Sequence, residues 1–262
     1  MNTNLKGKTA LVCGSTQGIG KATAELLAQM GANIVLLARD DNKLKQVRSL
    51  LNTSNGQTHH FIAADFNFPP EVKLAVENYL EINTSIDILV NNTGGPSGGL
   101  VSEAKSEEFV HAFNSHLICN HLLAQAVIPG MKKNKFGRII NIISTSVKIP
   151  LKGLGVSNTI RGAVANWSKT MANELGQYNI TVNNVLPGAT NTQRLQNLLE
   201  SKSKITGVSV NDLLKEMEAE IPMKRIALPE EVAAAIGFLA SPAASYINGI
   251  NIPVDGGRTG SL

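Results

Sequence analysis

Three glycines in the stretch GSTQGIG, Gly14, Gly18 and Gly20, are spaced to hold a phosphate. Without a Cβ the chain can turn sharply and bring its amides against a pyrophosphate, and a helix starting here would add its positive end. The spacing is GxxxGxG, not GxGxxG, and a glycine-rich turn alone is equally a tight connection. Further along, VSNTIRGAV (156–164) puts Ser157 and Arg161 four apart, on one face if the stretch is helical. An aliphatic hydroxyl is a poor acid and a guanidinium is effectively always charged, so neither is a ready proton donor at neutral pH. His116 supplies an imidazole, whose unperturbed pKa of about 6.5 suits acid or base work; packing against a backbone carbonyl is its other use.

These groups need a frame, and short β-branched runs supply one: TALVC (9–13), NIVLLA (33–38), HFIAA (60–64), DILVN (87–91), RIINIIS (138–144), ITVNNVL (180–186) and INIPV (250–254). Runs that apolar belong to strands covered on both faces. Between them, 20–30, 71–82 and 103–129 are long enough for crossover helices. The alternation predicts an α/β fold: a doubly wound, seven-stranded parallel sheet of Rossmann type with helices on both faces. No repeat or low-complexity linker divides the chain, so 1–262 reads as a single domain. Ile160, Val164, Trp167, Met171 and Leu175 form the apolar stripe of the helix carrying Ser157, as core or as a subunit interface. Segment 191–222, rich in Asn, Ser, Lys and Glu, is the least regular part. It follows the sixth strand, beyond whose carboxyl end ligands bind, so it is expected to be a substrate lid; a mobile excursion is the alternative.

At 262 residues and 43% hydrophobic content the chain can bury a large core. Apolar runs are short, which argues against a membrane span, and the polar start leaves no room for a signal peptide, so the expected location is cytoplasmic. Cys13 and Cys119 form no CxxC pair and read as reduced, buried thiols. The net charge of +4 invites a nucleic-acid reading, but the densest basic stretch, KKNKFGR (132–138), lacks interleaved aromatics and reads as a solvated loop. His59 and His60 have no ligand-spaced neighbours, so no metal site is expected.

With ALVCGSTQGIGKATA (10–24), AADF (63–66), VNNTGG (90–95), GRIINIIS (137–144), ITVNNVLPGATNT (180–192) and ALPEEVAAAIGFLASPAASYINGINIPVDGG (227–257), the chain resembles the short-chain dehydrogenase/reductase family, especially enzymes similar to 3-oxoacyl-acyl-carrier-protein reductase. The motifs run in order over nearly the whole length. The resemblance implies a dinucleotide-binding domain, a small-molecule carbonyl or hydroxyl substrate, and association as a homotetramer or homodimer. It implies that Gly14, Ser15, Gly18, Ile19 and Gly20 form the phosphate turn. Asp65 would accept from the adenine amine beside the Phe66 amide, or else cap a strand end. Asn92, Thr93 and Gly94 would border the adenosine ribose, with threonine in the place of the family's alanine. Pro187, Gly188, Thr190 and Thr192 would hold the nicotinamide carboxamide.

The dinucleotide follows from charge. An acid at the end of the second strand would bond the ribose hydroxyls of NAD and repel a 2′-phosphate. Here Ala38 takes that place and Arg39 follows, and a guanidinium suits a phosphate. NADP(H) is therefore expected in preference to NAD(H), which stays possible. Asp40 or Asp41 reads as the cap of the next helix.

The family's catalytic set is Asn, Ser, Tyr and Lys. Ser144 matches the serine that steadies the substrate oxygen. Thirteen and seventeen residues on, the tyrosine and lysine positions fall on Ser157 and Arg161. The asparagine position falls on His116, with Asn114 close enough for a small shift to restore it. The resemblance thus points to an oxidoreductase with a divergent site, in which His116 and Ser144 would protonate a carbonyl oxygen and Arg161 would bind ribose hydroxyls. The opposing reading is a catalytically inactive, nucleotide-binding or regulatory scaffold. Lys148 and Lys152, after Ser144, would either attract an acidic substrate or merely solubilise the surface.

Overall fold

The computed structural model describes residues 1–83 and 85–261. The strands are β1 (Thr9–Cys13), β2 (Asn33–Ala38), β3 (His60–Ala63), β4 (Ile88–Asn91), β5 (Gly137–Ile142), β6 (Ile180–Pro187) and β7 (Asn251–Val254). They form one parallel sheet in the order β3-β2-β1-β4-β5-β6-β7. Helices α1 (Gly18–Gln29), α2 (Asp41–Leu50) and α9 (Pro229–Ala240) cover one face; α3 (Pro69–Ile82), α5 (Cys119–Asn134) and α6 (Gly155–Leu175) cover the other.

Side chains that alternate along each strand explain the two cores. Ala10, Val12, Ile34, Leu36, Ile88 and Val90 pack with Leu27 of α1 and Ile236 of α9. Their neighbours Leu11, Val35, Leu37 and Leu89 pack on the opposite side with Val76 of α3 and Leu123 of α5. Such two-sided burial, at about 1.5–3 kcal/mol per large apolar side chain, is why the strands read as unbroken apolar runs. His59 ties β2 to the loop between α2 and β3, its Nδ1 accepting from the Ile34 amide at 3.1 Å and its Nε2 lying 2.9 Å from the Asn52 carbonyl.

One layer of the sheet is polar. Asn91, Asn141, Asn184 and Asn251 stand in register on β4 to β7. Asn91 Nδ2 donates to Asn141 Oδ1 at 2.8 Å, Asn141 Nδ2 to Asn184 Oδ1 at 3.0 Å, and Asn184 Nδ2 to Asn251 Oδ1 at 2.7 Å. Buried amides that satisfy one another lock strand register more tightly than apolar contacts do, and this ladder fixes the strand ends from which Asn92 and the residues after Pro187 project.

Three stretches depart from the sequence reading. KKNKFGR is not a solvated loop: Lys132, Lys133 and Asn134 end α5, while Gly137 and the buried Arg138 open β5. Segment 191–222 is not irregular: it holds α7 (Gln193–Thr206) and α8 (Val210–Ala219), capped by Thr192 Oγ1 and Ser209 Oγ. Each buries a single leucine, Leu199 or Leu213, and that thin stripe is lost among polar residues. The helix expected over 103–129 runs as α4 (Ser106–Phe113), a π-helical stretch (Asn114–Ile118) and α5. Among the described residues no helix is long and apolar enough to cross a membrane, and no group of three or more His, Cys, Asp or Glu is arranged around a metal.

Candidate functional site

The sheet order reverses direction between β1 and β4, and a cleft of about 370 Å3 opens there, beyond the carboxyl ends of the strands. Gly14 (φ +58°) and Gly18 (φ +54°) turn the chain from β1 into α1 in the left-handed conformation. Close approach also demands glycine: a Cβ on Gly14 would lie 2.6 Å from the Asn92 carbonyl oxygen. Asn92 Nδ2 in turn donates to the Cys13 and Gly14 carbonyls at 3.3 and 3.4 Å, joining β4 to the glycine turn.

Of the residues singled out for a nucleotide, Gly14, Gly18, Ile19, Arg39, Asp65, Phe66, Asn92, Thr93, Gly94 and Thr192 line the cleft. Ser15, Gly20, Pro187, Gly188 and Thr190 do not. Ser15 is buried, with its hydroxyl 3.5 Å from the Leu37 carbonyl. Gly20 sits beneath the turn, and Gly188 packs on Asp255. Thr190 donates to the Gly188 carbonyl at 3.1 Å. Asp65 Oδ1 accepts from the Asn67 amide at 3.0 Å, a turn-capping bond, while the residue still faces the cleft. Asp40 caps α2, accepting from the Lys43 amide at 3.0 Å, and leaves Arg39 exposed at the end of β2.

The catalytic candidates are dispersed. His116 lines the cleft and Asn114 does not, because the π-helical stretch advances the chain past the ordinary helical register and turns Ser115 and His116 inward. His116 Nδ1 makes a short hydrogen bond with Thr93 Oγ1. Ser144 lies off the cleft wall and accepts from the Ser146 amide at 3.1 Å, and among the described residues no hydrogen bond joins it to His116. Ser157 and Arg161 are buried on one face of α6, also off the cleft wall, and Arg161 Nη1 donates to the Ile142 carbonyl at 3.0 Å, at the end of β5. His111, Ser115, Gln193 and Arg194 also line the cleft, and the sequence reading passed over them. The signal for Arg194 was its place two residues beyond Thr192.

Burial first, and nearby cations second, govern titration here. Burial, then Arg161, Arg194 and His111, lowers the His116 pKa to about 2, so its ring is neutral at physiological pH. A neutral imidazole holds no spare proton for a carbonyl oxygen, but it can pass one along by accepting at one nitrogen while releasing at the other. Arg161 is lowered to about 10 by burial and by Arg194, and stays charged at neutral pH. The two cysteines are buried free thiols; burial pushes Cys119 up to about 12.

His116 makes a testable contribution to acid sensitivity. Its folded pKa lies below the unfolded value of about 6.5, so the unfolded chain binds the extra proton. The associated stability is complete above that unfolded value and is lost as pH falls toward 2. From about pH 7 to about pH 5 this one site is expected to cost about 2 kcal/mol. Urea denaturation across that range should show the fall, and His116→Asn should flatten it by that amount; an unchanged slope would show that the ring is not held neutral.

Comparison with known proteins adds to this geometry. The family described as enoyl-(acyl carrier protein) reductase matches residues 14–259. The 3-oxoacyl-acyl-carrier-protein reductase FabG of Vibrio cholerae is 33% identical over 254 residues, covering 97% of this chain and 98% of that protein. The NADPH-dependent reductase BacG of Bacillus subtilis is 30% identical over 256 residues, covering 97% and 99%. Among solved structures, the L-sorbose reductase of Gluconobacter frateurii, in complex with NADPH and L-sorbose, superposes with a TM-score of 0.93 at 33% identity over 100% of both chains.

Proposed function

This chain belongs to the short-chain dehydrogenase/reductase family, and we propose that it is an oxidoreductase transferring hydride between NADP(H) and a small carbonyl or hydroxyl substrate, through a divergent proton-transfer site. The observation that carries the reading is the cradle itself. Gly14 and Gly18, both in the left-handed conformation, carry the chain from β1 into α1 without a Cβ and line the cleft at the β1/β4 switch point. The residues fit a dinucleotide phosphorylated on its ribose, because Arg39 stands exposed on the cleft wall at the end of β2 with Asp40 drawn away into the α2 cap.

NADP(H), when bound, supplies or takes up the hydride. The glycine turn would face the pyrophosphate and Arg39 the 2′-phosphate. Asp65 would take the adenine end and Thr192 the carboxamide end. Asn92 keeps β4 and the turn in register through its two carbonyl contacts. The Thr93–His116 pair is the proton relay this cleft offers in place of a phenol. Segment 191–222 would act as the substrate lid, supported by the part that Thr192, Gln193 and Arg194 play in the cleft wall. A cytoplasmic site of action and association as a homodimer or homotetramer belong to the same proposal; the full exposure of Tyr246 near β7 supports association.

Affinity tests the cofactor assignment. Fluorescence titration is expected to give tighter binding of NADPH than NADH, and Arg39→Gln is expected to weaken NADPH about tenfold or more while barely changing NADH. Comparable affinities in the natural chain would overturn it. The second reading, a nucleotide-binding scaffold without turnover, draws on a separate observation: Ser144, Ser157 and Arg161 all lie off the cleft wall. NADPH consumption across a panel of carbonyl compounds separates the two.

A further inference from the structure

Arg194 is a guanidinium without an anion. It occupies the first turn of α7 and reaches across the cleft, Nη1 donating to the Gly95 carbonyl at 2.7 Å and Nη2 to the Pro96 carbonyl at 3.1 Å. Gly95 admits it because a Cβ there would lie 2.6 Å from Nη2. Two other arginines are matched by acids: Arg225 pairs with Glu231 and Arg258 with Glu220. Among the described residues no carboxylate lies within ion-pair distance of Arg194, or of Arg161 behind it.

Two features make this arrangement one of waiting. Carbonyl oxygens are weaker partners for a guanidinium than anionic oxygens, whose charge-assisted bonds are about twice as strong. Two N–H groups aimed at two oxygens form the fork that a carboxylate or phosphate fills. The surroundings are also short of counter-charge. Arg194 lines the cleft with His111 and His116, and among the described residues the one carboxylate lining it, Asp65, accepts from the Asn67 amide and lies beyond ion-pair distance of Arg194. Desolvation without a compensating anion holds Arg194 below the ordinary arginine range.

We propose that Arg194 is the anion receptor of the cleft: the Gly95 and Pro96 carbonyls hold its guanidinium in place, and a pair of anionic oxygens on the bound ligand displaces them. Two sources share this chemistry. One is the pyrophosphate of the dinucleotide, since Thr192, two residues before Arg194, packs over Gly18 of the phosphate turn. The other is an acidic group on the substrate, since Arg194 and His116 line the same inner wall. Naming these sources rests on the NADP(H) reading; the receptor itself does not.

The experiment compares the natural chain with Arg194→Gln and Arg194→Lys, each checked for an unchanged melting profile. Inorganic pyrophosphate and malonate are titrated by calorimetry, and NADPH and adenosine 2′,5′-bisphosphate by fluorescence or competition. The receptor predicts that Arg194→Gln weakens at least one of pyrophosphate, malonate and NADPH by about tenfold or more, with Arg194→Lys intermediate. Loss on NADPH and pyrophosphate, with the bisphosphate unchanged, assigns the pyrophosphate. Loss on malonate with NADPH unchanged assigns the substrate's acid. Equal binding of all three probes by natural and Gln chains overturns the proposal. If the natural chain takes pyrophosphate through Arg194 but no NADPH, the receptor stands and the NADP(H) reading falls; if NADPH binds and no probe distinguishes the variants, the reverse holds.

Discussion

A chain carrying Ser157→Tyr together with Arg161→Lys is expected to reduce carbonyl compounds with NADPH about 100-fold or more faster than the natural chain, the gain open to a positioned general acid. The two positions stand one turn apart on α6, and the Arg161 side chain reaches the Ile142 carbonyl at the end of β5, two residues before Ser144. A phenol titrates near about 10, and a cation one turn away brings it toward neutrality. Neither natural residue does this: a serine hydroxyl is too weak an acid, and Arg161, even lowered to about 10, keeps its proton at neutral pH. Ser157→Tyr alone should capture part of the gain, because Arg161 still supplies positive charge, and Arg161→Lys alone should capture none. Ser157 is 7% exposed, so the new ring must find room beside β5; a melting curve on the double variant shows whether it does. A folded double variant that binds NADPH yet turns over no faster would mean that the scaffold has lost catalysis beyond these two positions, which is the inactive-scaffold reading.

The sheet was legible because burial on both faces writes each strand as a continuous apolar run: the runs 9–13 and 33–38 coincide with β1 and β2, four others differ by one residue at one end, and 138–144 is offset from β5 by one residue at its start and two at its end. The phosphate turn was legible for a different reason. Positive φ at Gly14 and Gly18 is a backbone demand that only glycine meets without strain, so it leaves a mark in the sequence. Features that depend on distant parts of the chain left no such mark. The meaning of Arg194 rests on two carbonyls nearly a hundred residues earlier, and a polar helix with one buried leucine hides its own periodicity. The GRIINIIS match pointed to Ser144 and counting on by family spacing pointed to Ser157 and Arg161, but neither says which side chains reach the cleft. There the π-helical stretch intervened: it carries no compositional signature, yet it decides that His116, and not Asn114, lines the cleft.

Gly20→Ala is the sharpest test of the cradle, because it adds a single carbon where no space exists. A Cβ at this position would lie 2.2 Å from the Gly14 carbonyl oxygen and 2.6 Å from Asn92 Nδ2. Neither neighbour can yield cheaply. Gly14 is held in the left-handed conformation and already abuts the Asn92 backbone, while Asn92 Nδ2 is committed to the Cys13 and Gly14 carbonyls. The turn must therefore open, at an expected loss of about 3 kcal/mol in urea denaturation. Opening also moves the amides that would face the pyrophosphate, so NADPH affinity is expected to fall about 100-fold or more, some 2.7 kcal/mol. Gly162→Ala is the matched control: nothing lies within 4 Å of a Cβ there, and alanine inside α6 should leave affinity unchanged and stabilise the fold by up to about 1 kcal/mol. The two Gly20 losses have one origin, the displaced Gly14 carbonyl, and so should appear together. Wild-type affinity in a destabilised Gly20→Ala chain would locate the phosphates away from this turn, and with them the hydride chemistry assigned to the cleft.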